Sequence, residues 1–141
     1  METGDVSKLD SFIDKDIVDH SGEHGDIKGL DSVKKMFVEM HNQFKDLKFD
    51  MIADATTADG QYHFSWAKMS GTCTVASMGM PAGTHMNMSG VDVVRIKDDK
   101  AVEHWSFNDP KEMMEMMKMM SGDHKMDNMH GDKMATDTTK K

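Results

Sequence analysis

Three ionisable side chains stand in apolar segments of the second half of the chain. Asp92 lies among valines in the run 91–94, and Glu103 and His104 lie in the run 101–105. A carboxylate in an apolar cavity suits proton abstraction, because desolvation raises its pKa towards neutral pH. Histidine can accept or donate a proton in the same pH range. We therefore predict acid–base chemistry, with Asp92, Glu103 and His104 as the catalytic candidates.

Other interpretations of these residues stay open from the sequence alone. Asp92 can form an ion pair with Arg95 or with a lysine of a neighbouring strand, and such pairs resemble functional sites electrostatically. Because side chains alternate along a strand, Glu103 and His104 point to opposite faces and at most one lines a cavity. Glu103 shares a face with Trp105 and is the expected cavity residue, although a β-bulge would reverse this. An exposed pair at a sheet edge also fits the pattern.

Further histidines and aromatic residues are candidates for the wall of a ligand pocket. His20 lies in a polar, glycine-containing stretch that predicts a loop. Aromatic rings supply apolar area and shape, whereas a loop histidine is often solvated and a strand histidine such as His63 often only packs. The sequence contains no Ser-His-Asp order, phosphate-binding loop or Cys-x-x-Cys motif. The predicted pocket residues are His20, Tyr62, Phe64, Trp66, His85 and Trp105.

The elements that must position these residues follow from the periodicity. Apolar residues three and four apart predict an amphipathic helix over 30–44 and a shorter helical segment within 4–16. Alternating apolar residues then predict strands, with Tyr62, Phe64 and Trp66 on one face. The predicted strands are 48–54, 61–76, 86–96 and 101–107, with turns at 58–60 and 97–100. This pattern predicts an α+β fold in which a curved antiparallel sheet wraps around helices.

Methionine is abundant near the C-terminus. Pro110 permits a helix start, and residues 111–120 predict a helix with methionine on nearly every side. Residues 121–141 have no periodicity and predict a disordered tail. We therefore divide the chain into a domain over 1–110 and a Met/His-rich helix and tail over 111–141.

The tail also carries groups that bind soft metals. Thioether and imidazole groups select Cu(I) or Ag(I) over hard cations. The metal candidates are His124, Met126, Met129 and His130. The alternative is that the methionines form a pliant helix for packing or dimerisation.

The composition argues against several partners. With 17 basic and 25 acidic residues the formal net charge is −8, and no basic stripe could neutralise phosphates, so nucleic acid and membrane are not expected as partners. No stretch approaches the roughly 20 apolar residues of a membrane span.

Cys73 is the single cysteine, so no intramolecular disulfide forms, and we expect an apolar strand position for it. The first residues lack a signal-peptide pattern, which favours the cytoplasm unless an export segment precedes them.

Three stretches of the chain occur in a characteristic order and spacing. They are Asp-Ile-Val-Asp-His-Ser at 16–21, a hairpin with Trp66, Ser-Gly-Thr-Cys-Thr at 70–74 and Met-Gly-Met-Pro at 78–81, and the closing strands 89–96 and 101–105. Over about residues 4–110 the chain resembles the SnoaL-like polyketide and ester cyclases, within the nuclear-transport-factor-2-like superfamily.

The resemblance implies a cone-shaped α+β barrel with one pocket for a small organic molecule. The cyclases that it resembles close a ring by intramolecular aldol condensation without metal or cofactor. The implied ligand is a small apolar carbonyl compound or ester, no cofactor is expected, and a homodimer is expected through the outer face of the sheet. The same fold also hosts isomerases, lyases and non-catalytic binding proteins, so small-ligand binding without catalysis is the alternative.

Two features depart from the family pattern. Family members usually begin with a further long helix across the mouth of the cone, before the equivalent of Gly4, and this chain starts at that point. We expect the methionine helix 111–120 or a partner chain to take its place. Cys73 stands where the family often has histidine, which removes one candidate base from the pocket.

Overall fold

The protein, seen in a computed structural model that describes residues 4–76 and 80–120, is an α+β fold with one curved sheet, as predicted. A short 3-10 turn, Leu9–Ser11, precedes the regular elements. These are β1 (Ile13–Asp19), β2 (Ile27–Lys28), α1 (Leu30–Gln43), β3 (Phe44–Thr56), β4 (Tyr62–Cys73), β5 (His85–Lys97), β6 (Lys100–Asn108) and α2 (Pro110–Met120). No helix in these two stretches is both long and apolar enough to cross a membrane.

The sheet has six strands in the order β2-β1-β6-β5-β4-β3 and does not close. All neighbouring pairs are antiparallel except β1 and β6, which run parallel with Asp19 opposite His104. The prediction of an antiparallel, barrel-like cone therefore needs correction, since the sheet is mixed and open. Hairpin turns force antiparallel pairing only between strands that follow each other, and residues 20–99 separate β1 from β6.

The predicted helix within 4–16 is wrong, because only Leu9–Ser11 is helical and the chain then enters β1. The predicted loop likewise begins later, since β1 continues to Asp19. Ile13 and Ile17 are four residues apart, a spacing that fits one face of a helix and also one face of a strand. The β-branched residues around them favour the extended form once β6 offers a partner.

The predicted helix over 30–44 is confirmed as α1, which buries Leu30 and Val33. We call the sheet face on which α1 lies the inner face, and Ile17 of β1 is buried there. Cys73 is 1% exposed, as expected for an apolar strand position. It belongs to a core cluster with Phe44, Leu47, Met80 and Met86.

A tight turn and a β-bulge between β5 and β6 together set the register of the site. Asp98 and Asp99 both have positive φ, 52° and 60°, the backbone that a two-residue hairpin turn requires. Aspartate tolerates this left-handed region better than most residues. The pairing that starts at the turn shifts by one residue at a β-bulge between Arg95 and Ile96, and beyond it Asp92 lies opposite Ser106 and His104 opposite Val94.

The predicted helix start at Pro110 is confirmed, and α2 docks at the beginning of β5. β6 pairs with β5 only as far as Gly90, so the first residues of β5 lack a strand on that side. The Glu112 carboxylate accepts hydrogen bonds there from Ser89 N (2.6 Å) and Ser89 Oγ (3.0 Å). Met116 packs against the core cluster. The predicted disordered tail, 121–141, lies outside the described residues.

Candidate functional site

Three ionisable groups meet on the inner face where β1, β6 and β5 lie side by side. His104 Nδ1 is 3.0 Å from Asp19 Oδ1, and His104 Nε2 is 3.4 Å from Asp92 Oδ1. The exposed fraction of the side chain rises from 3% for Asp19 to 23% for His104 and 48% for Asp92. The imidazole therefore links a buried carboxylate to one that solvent or a ligand can reach.

The two carboxylates keep His104 protonated. Burial alone would lower the pKa of His104, but hydrogen bonds and charge attraction from Asp19 and Asp92 raise it to about 9. For Asp19, burial opposes ionisation, yet hydrogen bonds from His104 and Ser21 hold its pKa below the ordinary value. Ser21 contributes both its backbone N, at 2.9 Å, and its hydroxyl, at 2.5 Å. At neutral pH the group is an imidazolium between two carboxylates.

Asp92 differs from the expectation of a carboxylate with a raised pKa. Burial raises the pKa of Asp92, but hydrogen bonds from His104 and Ser106 outweigh it and the net direction is down. The alternative pairing with Arg95 is also wrong, because the Arg95 guanidinium binds Glu103 on the other face. Asp92 is thus an ionised carboxylate paired with a protonated histidine.

Glu103 lies on the outer face of the sheet, opposite to α1. It pairs with Arg95 and, at 3.3 Å, with His20 Nε2. The hydrogen bond from Arg95, followed by that from His20, holds the pKa of Glu103 below its ordinary value. The preference for Glu103 over His104 as the residue that lines an inner cavity therefore needs correction. Glu103 does share a face with Trp105, as the alternation predicted, but that face points outwards.

His20 belongs to the same network of ion pairs on the outer face, which runs from Arg95 through Glu103 to His20 and Asp26. It is therefore not the solvated loop histidine that the sequence also allowed. Its ring stacks on Trp105, with 4.9 Å between centroids, and its Nδ1 is 3.0 Å from Asp26 Oδ1. The hydrogen bond with Asp26 raises the pKa of His20, burial opposes the rise, and Glu103 adds to it. The network orders the chain between β1 and β2.

The predicted pocket residues do not line one pocket. Tyr62, Phe64 and Trp105 line a shallow hollow of about 350 Å³ on the outer face, together with Val93 and Phe107. Trp66 is 47% exposed and lies on the same face, where it pairs with Val91. His85 lines a separate cleft of about 250 Å³ beside α2. Period-two alternation grouped the aromatic residues correctly but could not tell which face is inside.

Sequence reasoning missed Asp19, the most buried polar residue among those that the structure describes. Its signal was present, because Asp19 follows Ile17 by two residues and so shares its face if the segment is a strand. Within 4–76 and 80–120, no group of three or more His, Cys, Asp and Glu residues is arranged to hold a metal ion. The metal candidates His124, Met126, Met129 and His130 lie outside the described residues.

The raised pKa of His104 predicts a pH-dependent stability. The folded-state pKa of about 9 exceeds the ordinary 6.5, so the stabilisation is fully present below pH 6.5 and is lost as pH rises to 9. From that difference we expect the free energy of unfolding to fall by up to about 3 kcal/mol over this range. Urea denaturation at several pH values measures it.

The matched control is His104→Asn, which should flatten this pH dependence. The pKa of His20 is also raised, but His20 is present in both proteins. The difference between their pH-dependent free energies of unfolding therefore reports His104 alone. A slope that persists unchanged in His104→Asn would contradict the assignment.

Solved structures with the same fold include three from bacteria. A SnoaL-like polyketide cyclase from Agrobacterium tumefaciens has 15% identity and a TM-score of 0.66, covering 82% of this chain and 86% of that one. TsrD from Streptomyces laurentii has 17% identity and a TM-score of 0.69, covering 81% and 83%. IdmH from Streptomyces antibioticus has 23% identity and a TM-score of 0.67, covering 82% and 88%. At these identities the likeness shows the fold alone.

Comparison of the sequence with family models identifies the family of the chain, which the structural comparison does not. Comparison with curated protein sequences finds no match. The family model for SnoaL-like polyketide cyclase, however, matches residues 1–117, which include every strand of the sheet and the first part of α2. The chain therefore belongs to the SnoaL-like polyketide cyclase family.

Proposed function

We propose that this protein catalyses cofactor-independent acid–base chemistry on a small uncharged carbonyl compound or ester, of the cyclase or isomerase type. The observation that carries the proposal is the imidazolium of His104 held between buried Asp19 and accessible Asp92. Membership of a cyclase family supports the same class of reaction. A proton acceptor and a proton donor side by side are what enolisation of a carbonyl compound requires.

Each member of the group has a distinct role in the proposed reaction. Asp92, the most exposed of the three, takes a proton from the carbon beside the substrate carbonyl. In the proposed reaction the Nε2–H of His104, which points to Asp92 in the free protein, donates instead to the substrate oxygen on which negative charge develops. Asp19 touches no substrate, and it orients the ring through Nδ1 and stabilises its charge. The enolate carbon then attacks a second carbonyl of the same molecule, or is reprotonated at another position.

Asp92 has small neighbours on the inner face of the sheet. Its cross-strand neighbours are Ser65 on β4 and Ser106 on β6, and the next pair along the same face is Ala67 and Gly90. These small side chains do not project far from the sheet surface. The two carboxylates and the net charge of −8 disfavour an anionic substrate, so an ester suits the site better than a free acid.

The test is proton exchange, which needs no knowledge of the product. The protein is incubated in D₂O with a panel of small β-keto esters and diketo esters, and loss of the α-proton signal is followed by NMR. We expect faster exchange than in buffer for at least one compound, and much slower exchange with His104→Asn. Saturable ligand shifts without any catalysed exchange would contradict catalysis and support the alternative, non-catalytic binding.

We also propose a homodimer formed through the outer face of the sheet. Phe64, Trp66 and Phe107 are 40%, 47% and 59% exposed on this face, next to the hollow lined by Trp105. Apolar rings that surround an apolar hollow are suited to bind a second copy of the same surface, which would remove them from water.

Phe107→Glu should convert such a dimer into a monomer of 15.8 kDa, because pairing would bury an unpaired carboxylate. Sedimentation equilibrium measures the mass. Met114→Glu, at a position 55% exposed on α2, is the matched control and should leave the mass unchanged. A monomeric wild type, or a dimer that survives Phe107→Glu, would contradict the proposal.

A further inference from the structure

The cleft between the beginning of β5 and α2 has an unusual lining. It encloses about 250 Å³, and its wall includes five methionines and one histidine: Met80, His85, Met86, Met88, Met116 and Met119. Glu112, Glu115 and Asn87 line the rest of the cleft. The cleft is separate from the group formed by Asp19, His104 and Asp92, none of which lines it.

The geometry of the sheet explains why the cleft exists. β5 begins at His85, whereas its pairing with β6 begins only at Gly90. α2 covers the open edge, held by the hydrogen bonds from Ser89 to Glu112 and by the contact of Met116 with the core. A helix cannot continue the ladder of a strand, so the two elements meet through side chains. Those side chains are mostly thioethers.

We propose that this cleft binds a soft monovalent cation, Cu(I) or Ag(I). Thioether sulfur and imidazole nitrogen prefer such ions, while Mg²⁺ and Ca²⁺ require oxygen ligands. Met88, Met116 and Met119 are the thioethers nearest to solvent, whereas Met80 and Met86 are buried beneath them. The site thus offers both buried and solvent-accessible sulfur ligands.

The remaining polar groups fit a cation of low charge. His85 lies on the opposite face of β5 from Met86 and Met88, and Thr72 Oγ1 is 3.3 Å from its Nδ1, so its Nε2 would bind an ion only at the open edge of the strand. Glu112 and Glu115 place negative charge at the rim, which attracts a cation without supplying the several oxygen ligands that a hard ion needs. No redox step is involved, because the ion is bound and released in one oxidation state.

The test uses Ag(I), which needs no reductant, and the full chain labelled with ¹³C at the methionine methyl groups. We expect the first equivalent of Ag(I) to shift the methyl signals of Met88, Met116 and Met119. The methyls of Met113, Met114 and Met117, which are exposed elsewhere on α2, should move little. First shifts in the tail methionines Met126 and Met129 would overturn the proposal.

Matched triple variants give the affinity. The triple variant Met88→Leu, Met116→Leu, Met119→Leu should weaken binding of the first Ag(I) by at least about tenfold, the smallest loss typical of changes around a metal site. The triple variant Met113→Leu, Met114→Leu, Met117→Leu is the control and should leave the affinity within about twofold. Methionine and leucine have similar volumes, so both variants should keep the fold, as circular dichroism verifies. Equal affinities in the two variants would overturn the proposal.

Two single variants test whether His85 contributes to Ag(I) binding and whether Cys73 is the true ligand. His85→Gln, at the exposed start of β5, should also weaken binding without touching the core. Cys73→Ala removes the only thiol, which lies in the neighbouring core cluster and is itself a soft ligand. Retention of the first-equivalent methyl shifts in Cys73→Ala is expected, and their loss would assign the ion to the thiol and overturn the proposal.

Discussion

Asp92→Asn should lower kcat/KM for the proposed reaction by about 10²- to 10⁴-fold, the usual contribution of a positioned general base. Asparagine has nearly the same shape, and its carbonyl oxygen can still accept the hydrogen bond from His104 Nε2. It cannot take a proton. The variant therefore separates proton abstraction from the structural part of the ion pair. The measurement uses the compound that shows the fastest α-proton exchange with the wild-type protein.

Glu103→Gln decides whether the chemistry belongs to the inner or the outer face. Its side chain pairs with Arg95 and His20 on the outer face of the sheet, away from Asp92. We therefore expect kcat/KM to change by less than about threefold in Glu103→Gln. A loss as large as that of Asp92→Asn would move the active centre to the outer face. The pH profile adds a second criterion, because kcat/KM should fall above about pH 9 as His104 loses its proton.

Local periodicity was sufficient for most elements of this fold. α1 has apolar residues three and four apart, and β4 to β6 alternate or carry β-branched runs between clear turns. β1 was misread because Ile13 and Ile17 fit either a helix or a strand, and its partner is β6, far away in sequence. Local patterns do not contain such a long-range parallel pairing. For the same reason they could not show that the sheet stays open.

The candidate site was predicted in part. Asp92 and His104 were selected because charges in apolar strands are costly and need a reason. The missing partner was Asp19, which became visible only when β1 was paired with β6. Because Asp19 was not predicted as part of the site, the pKa of Asp92 was expected to be raised, whereas the structure lowers it. Desolvation alone raises a carboxylate pKa, but a neighbouring imidazolium lowers it, and Asp19 and Asp92 together keep that imidazole charged.

Asp19→Ala should destabilise the fold by about 3 kcal/mol, because removal of one partner of a buried ion pair leaves the other charge uncompensated. Asp19 accepts hydrogen bonds from His104 and from the backbone and hydroxyl of Ser21, and all three donors lose their acceptor. His104 remains partly exposed, so the loss should lie at the lower end of the range for buried pairs. Such a loss is a large share of the roughly 5–15 kcal/mol that stabilises a typical domain. Urea denaturation at pH 7 gives the free energy of unfolding.

Asp16→Ala is the matched control on the same strand. Asp16 is 79% exposed and forms an ion pair with exposed Lys15, so its loss should change stability by less than about 0.5 kcal/mol. Asp19→Asn divides the effect further, because the amide oxygen still accepts from Ser21 but carries no charge. In that variant the pKa of His104, followed by NMR, should fall from about 9 towards its ordinary value. If Asp19→Ala were as stable as Asp16→Ala, the pair would not hold β1 against β6, and the charge of His104 would need another source.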